Sequence, residues 1–332
     1  MIHPIPPGTR DVLPDEMREL RRLNRRLIEV FEDAGYGEVS TPAIEYDEVI
    51  SRGERPQAAS PYRFFDENGD LLALRSDMTV PIARLVSSRF VDAPKPLRLC
   101  YLASAYRAVT PQRGEMREFV QAGIELIGSP HADGTAEVIA VLEAALDAAG
   151  LDRAVIGLGD ADLYRRLLEE FGVEGEARDR VLGRLATHDL VGLEAELAAA
   201  GIGDAAIETC VALSQLRGGA DVLGRAREIG GDLVERTTTR LQETYEALRA
   251  RGTADRVQID LGLLRDLGYY SGAIFEVYDP ALGHILGGGG RYDGFLAKFG
   301  PDLPAAGFSL YLERVHVAQM EEESRRAERA AS

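Results

Sequence analysis

One stretch of the chain carries polar side chains at the spacing of a ligand-binding β-strand. In residues 119–127, side chains at alternate positions are predicted to lie on opposite faces of the strand. One face carries Gln121, Gly123 and Glu125, which places an amide and a carboxylate about 13 Å apart with a gap between them. This face suits a small polar ligand with positive charge, although a solvent-exposed sheet face with a closely packed glycine gives the same pattern.

Two charged residues at the start of a predicted helix could face the same site. Arg75 and Asp77 are two positions apart, so they would share one face of an extended segment. Asp77 is also a good N-cap for a helix that begins at Met78, and this alone could explain it. Thr79 could be an ordinary residue of the first helical turn, so both interpretations stay open.

Arginines flank the polar loop between two predicted strands, at 97–107 and 117–127. Arg107 ends the first strand and Arg117 begins the second. Two guanidinium groups at the mouth of a hairpin could hold a phosphate or a carboxylate. The alternative is that both are solvated or paired with acidic neighbours.

Glycines and tyrosines form two further candidate features near the C-terminal end. Four consecutive glycines at 287–290 favour close approach of the backbone to a ligand or to another strand, with a flexible turn as the alternative. They match neither a dinucleotide-binding fingerprint nor a Walker loop. Tyr269 and Tyr270 would point to opposite sides of an extended segment, so one could line a pocket and the other the core; both could also be core residues.

Composition excludes several classes of function. With 38 Lys and Arg against 55 Asp and Glu, the net charge of −17 excludes broad electrostatic binding to nucleic acid. Five dispersed histidines and two cysteines show no metal-ligand spacing, so we expect no metal and no cofactor. The N-terminus lacks the features of a secretion signal and no run of 18 apolar residues occurs, so we expect a cytoplasmic location and no membrane partner.

The elements that position these residues predict an α+β fold whose sheet closes across a helical insertion. Helices are predicted at 14–34, 77–90 and 133–150, and a hairpin joins strands at 62–65 and 71–75. Further strands are predicted at 97–107, 117–127, 257–261, 273–278 and 307–312. We therefore predict a core at 1–150 and 255–318, a mostly helical inserted subdomain at 151–254 and a charged tail at 319–332.

Taken in order, several stretches resemble the catalytic core of histidyl-tRNA synthetase, a class II aminoacyl-tRNA synthetase. The matching residues are GTRDVLP (8–14), LRSDMT (74–79), YR (106–107) with Gln112 and Gly114, QAGIE (121–125), LRDLGYYSG (264–272), GGGRYDG (288–294) and the segment 307–314. The resemblance implies an antiparallel class II sheet flanked by helices.

The departures from the synthetase pattern lie where it handles ATP and tRNA. Glu115 stands in place of an arginine near the ATP phosphates, Val120 in place of a histidine, and Gly268 in place of an acid. Tyr311 replaces a small glycine that makes room for the adenylate. Only 18 of the 332 residues follow Arg314, too few for an anticodon-binding domain.

This combination is similar to the synthetase paralogues that serve as regulatory subunits of ATP phosphoribosyltransferase, the first enzyme of histidine biosynthesis. The resemblance implies no chemistry of its own, activation of a short catalytic subunit, and a part in feedback inhibition by histidine. It also implies a homodimer within a hetero-oligomer, formed through the first helix and the strand ending at Pro42, with no tRNA as partner.

The resemblance assigns a histidine-binding role to individual residues. Asp77, Thr79 and Gln121 match positions around the amino-acid ammonium, Glu125 and Tyr270 match positions around the imidazole, and the arginines match the carboxylate and ATP side. The predicted ligand-binding set is Asp77, Thr79, Arg107, Gln121, Glu125, Arg265, Tyr269 and Tyr270.

Two other functions compete with the regulatory one. The first is a truncated histidyl-tRNA synthetase, or a synthetase-like ligase that makes an aminoacyl adenylate. Glu115, Gly268 and Tyr311 argue against it. The second is a stand-alone histidine sensor or an RNA-binding regulator, and the absence of a basic domain disfavours RNA.

Overall fold

The structure is a computed structural model that describes residues 4–53, 61–108, 116–265, 268–280, 282 and 284–331. The helices of the described residues are α1 Pro14–Asp33, α2 Asp47–Gly53, α3 Thr79–Arg89, α4 Asp133–Ala148, α5 Leu163–Glu170, α6 Gly175–Ala186, α7 Leu190–Ala199, α8 Asp204–Ser214, α9 Asp221–Gly230, α10 Asp232–Arg251 and α11 Leu312–Ala331. The strands are β1 Gly37–Glu38, β2 Ile44–Tyr46, β3 Arg63–Phe65, β4 Leu71–Leu74, β5 Leu97–Tyr106, β6 Glu118–Ile127, β7 Val155–Asp160, β8 Arg217–Gly218, β9 Val257–Asp260, β10 Ala273–Tyr278, β11 Ile285–Arg291 and β12 Ala305–Tyr311.

Nine of these strands form one large sheet, in the order β1-β5-β6-β12-β11-β10-β7-β9-β8. Its pairings are antiparallel except for β1 with β5 and β7 with β9, which are parallel. The predicted hairpin forms as β3 and β4, and β4 also pairs with β2, so the three strands make a separate sheet in the order β2-β4-β3. The α+β class and the mostly antiparallel sheet flanked by helices are therefore confirmed.

Helix α1 follows from its sequence and supports one face of the large sheet. Pro14 lies in the first turn, where its missing N–H costs nothing, and Gly35 just beyond the end adopts a φ of +85° that favours glycine. Apolar side chains at helical spacing are buried, among them Leu27 and Phe31. The Phe31 ring meets the edge of Phe308 from β12 at 5.8 Å, so α1 is anchored directly on the sheet.

The alternation predicted for residues 119–127 is present in β6. Ala122, Ile124 and Leu126 are fully buried in the core that α1 and α4 form against the sheet. Gln121 and Glu125 lie on the opposite face and are also buried, each with 2% of its surface exposed. The solvent-exposed alternative for this face is therefore wrong, because other parts of the chain cover it.

The four glycines at 287–290 are part of β11, between β10 and β12, so the flexible-turn alternative is excluded. A Cβ atom on Gly287 or Gly289 would clash with carbonyl oxygens of β12. A Cβ atom on Gly288 would clash with the guanidinium of Arg265. The glycines thus allow the strands and one arginine to approach each other closely.

Helices α5 to α10 come between β7 and β9 in the chain, and both strands belong to the large sheet. The sheet therefore includes residues 155–160 of the predicted insertion. The division into a core at 1–150 and 255–318 and an insertion at 151–254 stays a prediction. Residues 319–331 of the predicted tail belong to α11, where Glu322 is buried and accepts a hydrogen bond from the N–H of Arg153 at 3.0 Å.

Among the residues that the structure describes, no helix has both the length and the apolar character needed to cross a lipid bilayer.

Candidate functional site

A cavity lies on the face of the large sheet that is opposite to α1 and α4. It holds about 380 Å³ of empty space, part of it open to solvent, and it is floored by β6, β12 and β11. All eight residues predicted to bind a ligand line it, namely Asp77, Thr79, Arg107, Gln121, Glu125, Arg265, Tyr269 and Tyr270. The structure thus brings together residues from four separate parts of the sequence, while their role toward a ligand stays a prediction.

Glu125 lies at the centre of the cavity and is held from two sides. Its Oε1 atom accepts a hydrogen bond from the Thr79 hydroxyl at 2.8 Å, and its Oε2 atom accepts one from the Tyr292 hydroxyl. Burial raises the pKa of Glu125 from 4.5 to about 8, although the two hydrogen bonds act in the opposite direction. Without a ligand, this carboxyl group is therefore mostly protonated at neutral pH, and a cationic or N–H-donating ligand would favour its charged form.

Asp77 lines the cavity and also accepts a hydrogen bond from the first turn of α3, although α3 begins at Thr79, one residue later than predicted, with Met78 at the N-cap position. Its Oδ1 atom accepts a hydrogen bond from the N–H of Val80 at 3.2 Å, in the first turn of α3. Burial raises the pKa of Asp77, and the positive charge of Arg107 partly opposes that rise. The Asp77 carboxyl group thus adds an acceptor to the cavity wall, close enough to Arg107 for the two charges to interact.

Gln121 presents an acceptor that the protein itself does not use. Its Nε2 atom donates to the Ser309 hydroxyl at 3.2 Å. Its Oε1 atom is buried and has no hydrogen-bond partner among the described residues. A buried acceptor left in this state is costly, and a ligand N–H that enters the cavity would satisfy it.

Two arginines give the cavity wall positive charge. Arg107 donates from Nε to the carbonyl of Ser76 at 3.1 Å and lies 5.0 Å over the Phe119 ring. Arg265 donates from Nη1 to the carbonyl of Phe275 at 3.3 Å, and Nη1 lies 3.5 Å from a Glu276 carboxylate oxygen. Both guanidinium groups are within the cavity wall and can bind a ligand carboxylate.

Tyr269 and Tyr270 both line the cavity, so the prediction that they point to opposite sides is wrong. Gly268 before them has a φ of +75°, and the segment is not an extended strand, which removes the alternation. Their rings lie 4.9 Å apart, and Tyr269 packs on Phe295 at 4.8 Å. The guanidinium of Arg265 lies 6.0 Å from the centre of the Tyr270 ring.

Two arginines proposed as neighbours of the site do not line the cavity. Arg75 instead donates from Nε to the carbonyl of Ser104 and from Nη1 to the carbonyl of Thr41, both at 2.7 Å. Strand β4 ends at Leu74, so Arg75 and Asp77 do not share a strand face. The backbone N–H of Arg117 donates to the carbonyl of Gly8 at 2.7 Å.

The gap predicted beside Gly123 does not hold a ligand. The Tyr101 hydroxyl fills it, and a Cβ atom at Gly123 would clash with that side chain and with the carbonyl of Phe308. Sequence analysis also missed Tyr292, although it directly follows the glycine strand and Arg291. Glu115, a departure from the synthetase pattern, lies outside the described residues, as do Gln112 and Gly114.

The arrangement suits binding rather than bond-making. The lining combines hydrogen-bond acceptors, two arginines and aromatic rings, and this set is complementary to a zwitterion that carries an extra N–H donor. The described residues contain no cluster of three His, Cys, Asp or Glu side chains that could hold a metal ion.

Comparison with known proteins gives one consistent family. The model of the histidyl-tRNA synthetase family matches residues 8–315. An ATP phosphoribosyltransferase regulatory subunit from Symbiobacterium thermophilum is 42% identical over 327 residues, covering 98% of this chain and 82% of that protein. The match extends over every element that forms the cavity.

Two solved structures share the fold over nearly the whole chain. One is described as an ATP phosphoribosyltransferase regulatory subunit/histidyl-tRNA synthetase from Bacillus halodurans, with a TM-score of 0.87 and 32% identity, covering 96% of this chain and 84% of that chain. The other is a histidine–tRNA ligase subunit from Alicyclobacillus acidocaldarius, with a TM-score of 0.84 and 31% identity, covering 97% and 99%. These likenesses agree with the class II synthetase-like fold.

Proposed function

The chain belongs to the family of ATP phosphoribosyltransferase regulatory subunits, which have a histidyl-tRNA synthetase-like fold, and we propose that it senses free histidine on behalf of a separate catalytic subunit. In this role it is not itself an enzyme. It activates the short catalytic subunit for the first step of histidine biosynthesis, and bound histidine reverses that activation.

One observation carries the proposal for histidine as ligand. Two carboxyl groups, an amide oxygen without a partner among the described residues and two guanidinium groups line a single cavity. The ammonium group suits Asp77, Thr79 and the free Oε1 atom of Gln121, because these are acceptors. The imidazole N–H suits Glu125, and the carboxylate suits Arg265.

The proposed assembly is a homodimer of this chain within a hetero-oligomer that contains the short catalytic subunit. The family supports the partnership, because its members are named as subunits of the transferase. The acidic charge of −17 gives tRNA little to bind. A cytosolic location is expected from the sequence and stays a prediction.

Calorimetric titration of free histidine into the purified chain tests the ligand. We expect binding to the wild type and a loss of at least about tenfold in Glu125→Gln, since a hydrogen bond to a charged group is worth about 1.5–3 kcal/mol. The matched control is Glu322→Gln, which changes a buried glutamate in α11 that bonds to a backbone N–H outside the cavity. Equal affinity of the wild type and Glu125→Gln for histidine would contradict the proposed site.

An amino-acid-activating ligase is the second candidate, and the name of one solved relative favours it. Such an enzyme needs room for ATP beside the amino acid, and the Tyr311 side chain occupies space next to Arg107 in the cavity wall. We expect no histidine-dependent exchange of pyrophosphate into ATP by the purified chain. Measurable exchange would support the ligase and contradict a purely regulatory role.

A further inference from the structure

The segment that carries the two cavity tyrosines is held by helices that do not reach the cavity. Residues 269–272 belong to neither a helix nor a strand, and the rings of Tyr269 and Tyr270 line the cavity. Of the described residues that line it, none belongs to helices α5 to α10. Two arginines of these helices nevertheless bond to the segment, Arg165 of α5 and Arg240 of α10. The position of this part of the cavity wall therefore depends on the helical region between β7 and β9.

Arg165 makes the closer contact with the segment. Its Nη1 atom donates a hydrogen bond to the carbonyl oxygen of Tyr270 at 3.0 Å, and 23% of the arginine side chain is exposed. A backbone hydrogen bond from the N–H of Ala161 to the carbonyl of Gly272, at 2.8 Å, fixes the chain two residues further on. Arg165 thus acts on the backbone of Tyr270 itself, the residue whose ring lines the cavity.

Arg240 and two aspartates complete a polar cluster around this contact. Nη2 of Arg240 donates to Oδ1 of Asp160 at 2.7 Å and to Oδ2 of Asp162 at 3.2 Å. Nη1 of Arg240 donates to the carbonyl of Ser271 at 3.5 Å, and Nη1 of Arg165 lies 3.9 Å from Oδ1 of Asp162. Oδ2 of Asp160 and Nε of Arg240 are buried and have no hydrogen-bond partner among the described residues. A buried cluster with unsatisfied atoms adds little net stability, but it does fix the positions of its guanidinium groups.

We propose that Arg165, supported by Arg240, is a positioning residue of the ligand cavity. By holding the carbonyl of Tyr270, it keeps both tyrosine rings in the cavity wall before a ligand arrives, so that binding does not have to order them. The helical region then takes part in ligand binding without touching the ligand. The inference rests on the proposed function only in taking histidine as that ligand.

Fluorine NMR of the ligand-free chain tests the positioning without any ligand. The 12 tyrosines are replaced by 3-fluorotyrosine, and Tyr269→Phe and Tyr270→Phe identify the two cavity signals. We expect Arg165→Met to shift or broaden these two signals and to leave unchanged the signal of Tyr36, which is buried outside the cavity. The matched control is Arg256→Met, which removes an arginine that also donates to a backbone carbonyl and to a carboxylate outside the cavity. It should change neither cavity signal.

Calorimetric titration of histidine into the same variants tests the consequence for binding. We expect Arg165→Met to bind histidine about tenfold more weakly than the wild type, the effect of one hydrogen bond from a charged donor at the low end. Arg256→Met should bind histidine as the wild type does. If Arg165→Met does not fold, Arg165→Gln gives the same comparisons, because its side chain is polar and too short to reach the carbonyl of Tyr270.

Two results would overturn the proposal. One is that the fluorine signals of Tyr269 and Tyr270 stay unchanged in a folded Arg165 variant. The other is that this variant binds histidine as tightly as the wild type, or loses no more affinity than Arg256→Met. Failure of the wild type itself to bind histidine refutes the proposed ligand, whereas the fluorine signals still decide whether Arg165 positions the tyrosines.

Discussion

Replacing Glu125 by glutamine should stabilise the ligand-free protein at alkaline pH while it weakens histidine binding. Burial raises the pKa of this carboxyl group from 4.5 to about 8, against the hydrogen bonds from Tyr292 and Thr79. A carboxyl group with a higher pKa in the folded than in the unfolded chain contributes stability that is complete below pH 4.5 and is lost as pH rises through 8. Glutamine has a similar shape and no proton to lose.

The magnitude follows from the two pKa values. A difference of one in pKa between the folded and unfolded chains is worth about 1.36 kcal/mol. The rise in the pKa of Glu125 from 4.5 to about 8 therefore lowers the free energy of unfolding by about 5 kcal/mol once the group is ionised in both chains. Between about pH 5 and pH 8.5 most of this difference develops. We therefore expect the free energy of unfolding of the wild type to fall by about 4 kcal/mol relative to Glu125→Gln over that interval.

Urea denaturation of both proteins at the two pH values measures this double difference. Every other titrating group contributes equally to both proteins, and the hydrogen bonds that glutamine changes contribute equally at both pH values, so these effects largely cancel. The control is Glu322→Gln, a buried glutamate that lies outside the cavity. A gap between wild type and Glu125→Gln that is the same at both pH values would refute the reasoning, because Glu125 would then ionise normally in the folded protein.

Three further substitutions test the cavity and its support. Arg265→Met should weaken histidine binding by about tenfold to a hundredfold but leave the binding of histidinol, which lacks the carboxylate, nearly unchanged in calorimetry; equal losses would contradict a carboxylate contact. Gly288→Ala should lower the free energy of unfolding by about 1–3 kcal/mol, since its Cβ atom would clash with Arg265 and with the carbonyl of Phe275. Gly224→Ala, in α9 with open space around it, is the control and should not destabilise. Phe31→Ala should cost about 3–5 kcal/mol in urea denaturation, because the ring is fully buried; a cost below about 1 kcal/mol would contradict its role in the core.

Regular periodicity accounts for what the sequence could predict. Helix α1 and strand β6 each have one face buried in a large core, so the burial of that face imposes the apolar spacing. The same alternation identified Gln121 and Glu125 as residues of one face. For the four glycines of β11, the sequence leaves open both a closely packed backbone and a flexible turn, because glycines have no side chains that favour either one.

Predictions failed where the backbone leaves regular structure. Alternation was assumed at Tyr269 and Tyr270, but Gly268 adopts a positive φ and turns the segment so that both rings face the cavity. Tyr292 was missed because its hydrogen bond to Glu125 joins positions 167 residues apart, which local patterns do not report. The contact by which Tyr101 fills the gap beside Gly123 also joins two different strands, so local patterns do not report it.

The resemblance to a family supplied the rest of the site. Arg265 lies in no regular strand of the described residues, and its approach to Glu276 depends on the packing of β10 and β11. No spacing rule connects it with Arg107 in the first half of the chain. Only matching an ordered set of motifs predicted that both arginines belong to one site, and both line the cavity.

The central claim is that histidine in this cavity controls the turnover of a separate catalytic subunit. Its most direct test is the rate of ATP phosphoribosyltransfer by the short catalytic subunit, mixed with this chain over a range of histidine concentrations. The account predicts that the wild type raises the rate, that histidine lowers it again, and that Glu125→Gln needs at least about tenfold more histidine for the same inhibition. A rate that does not change when the chain is added, or inhibition that is identical with Glu125→Gln, would contradict it.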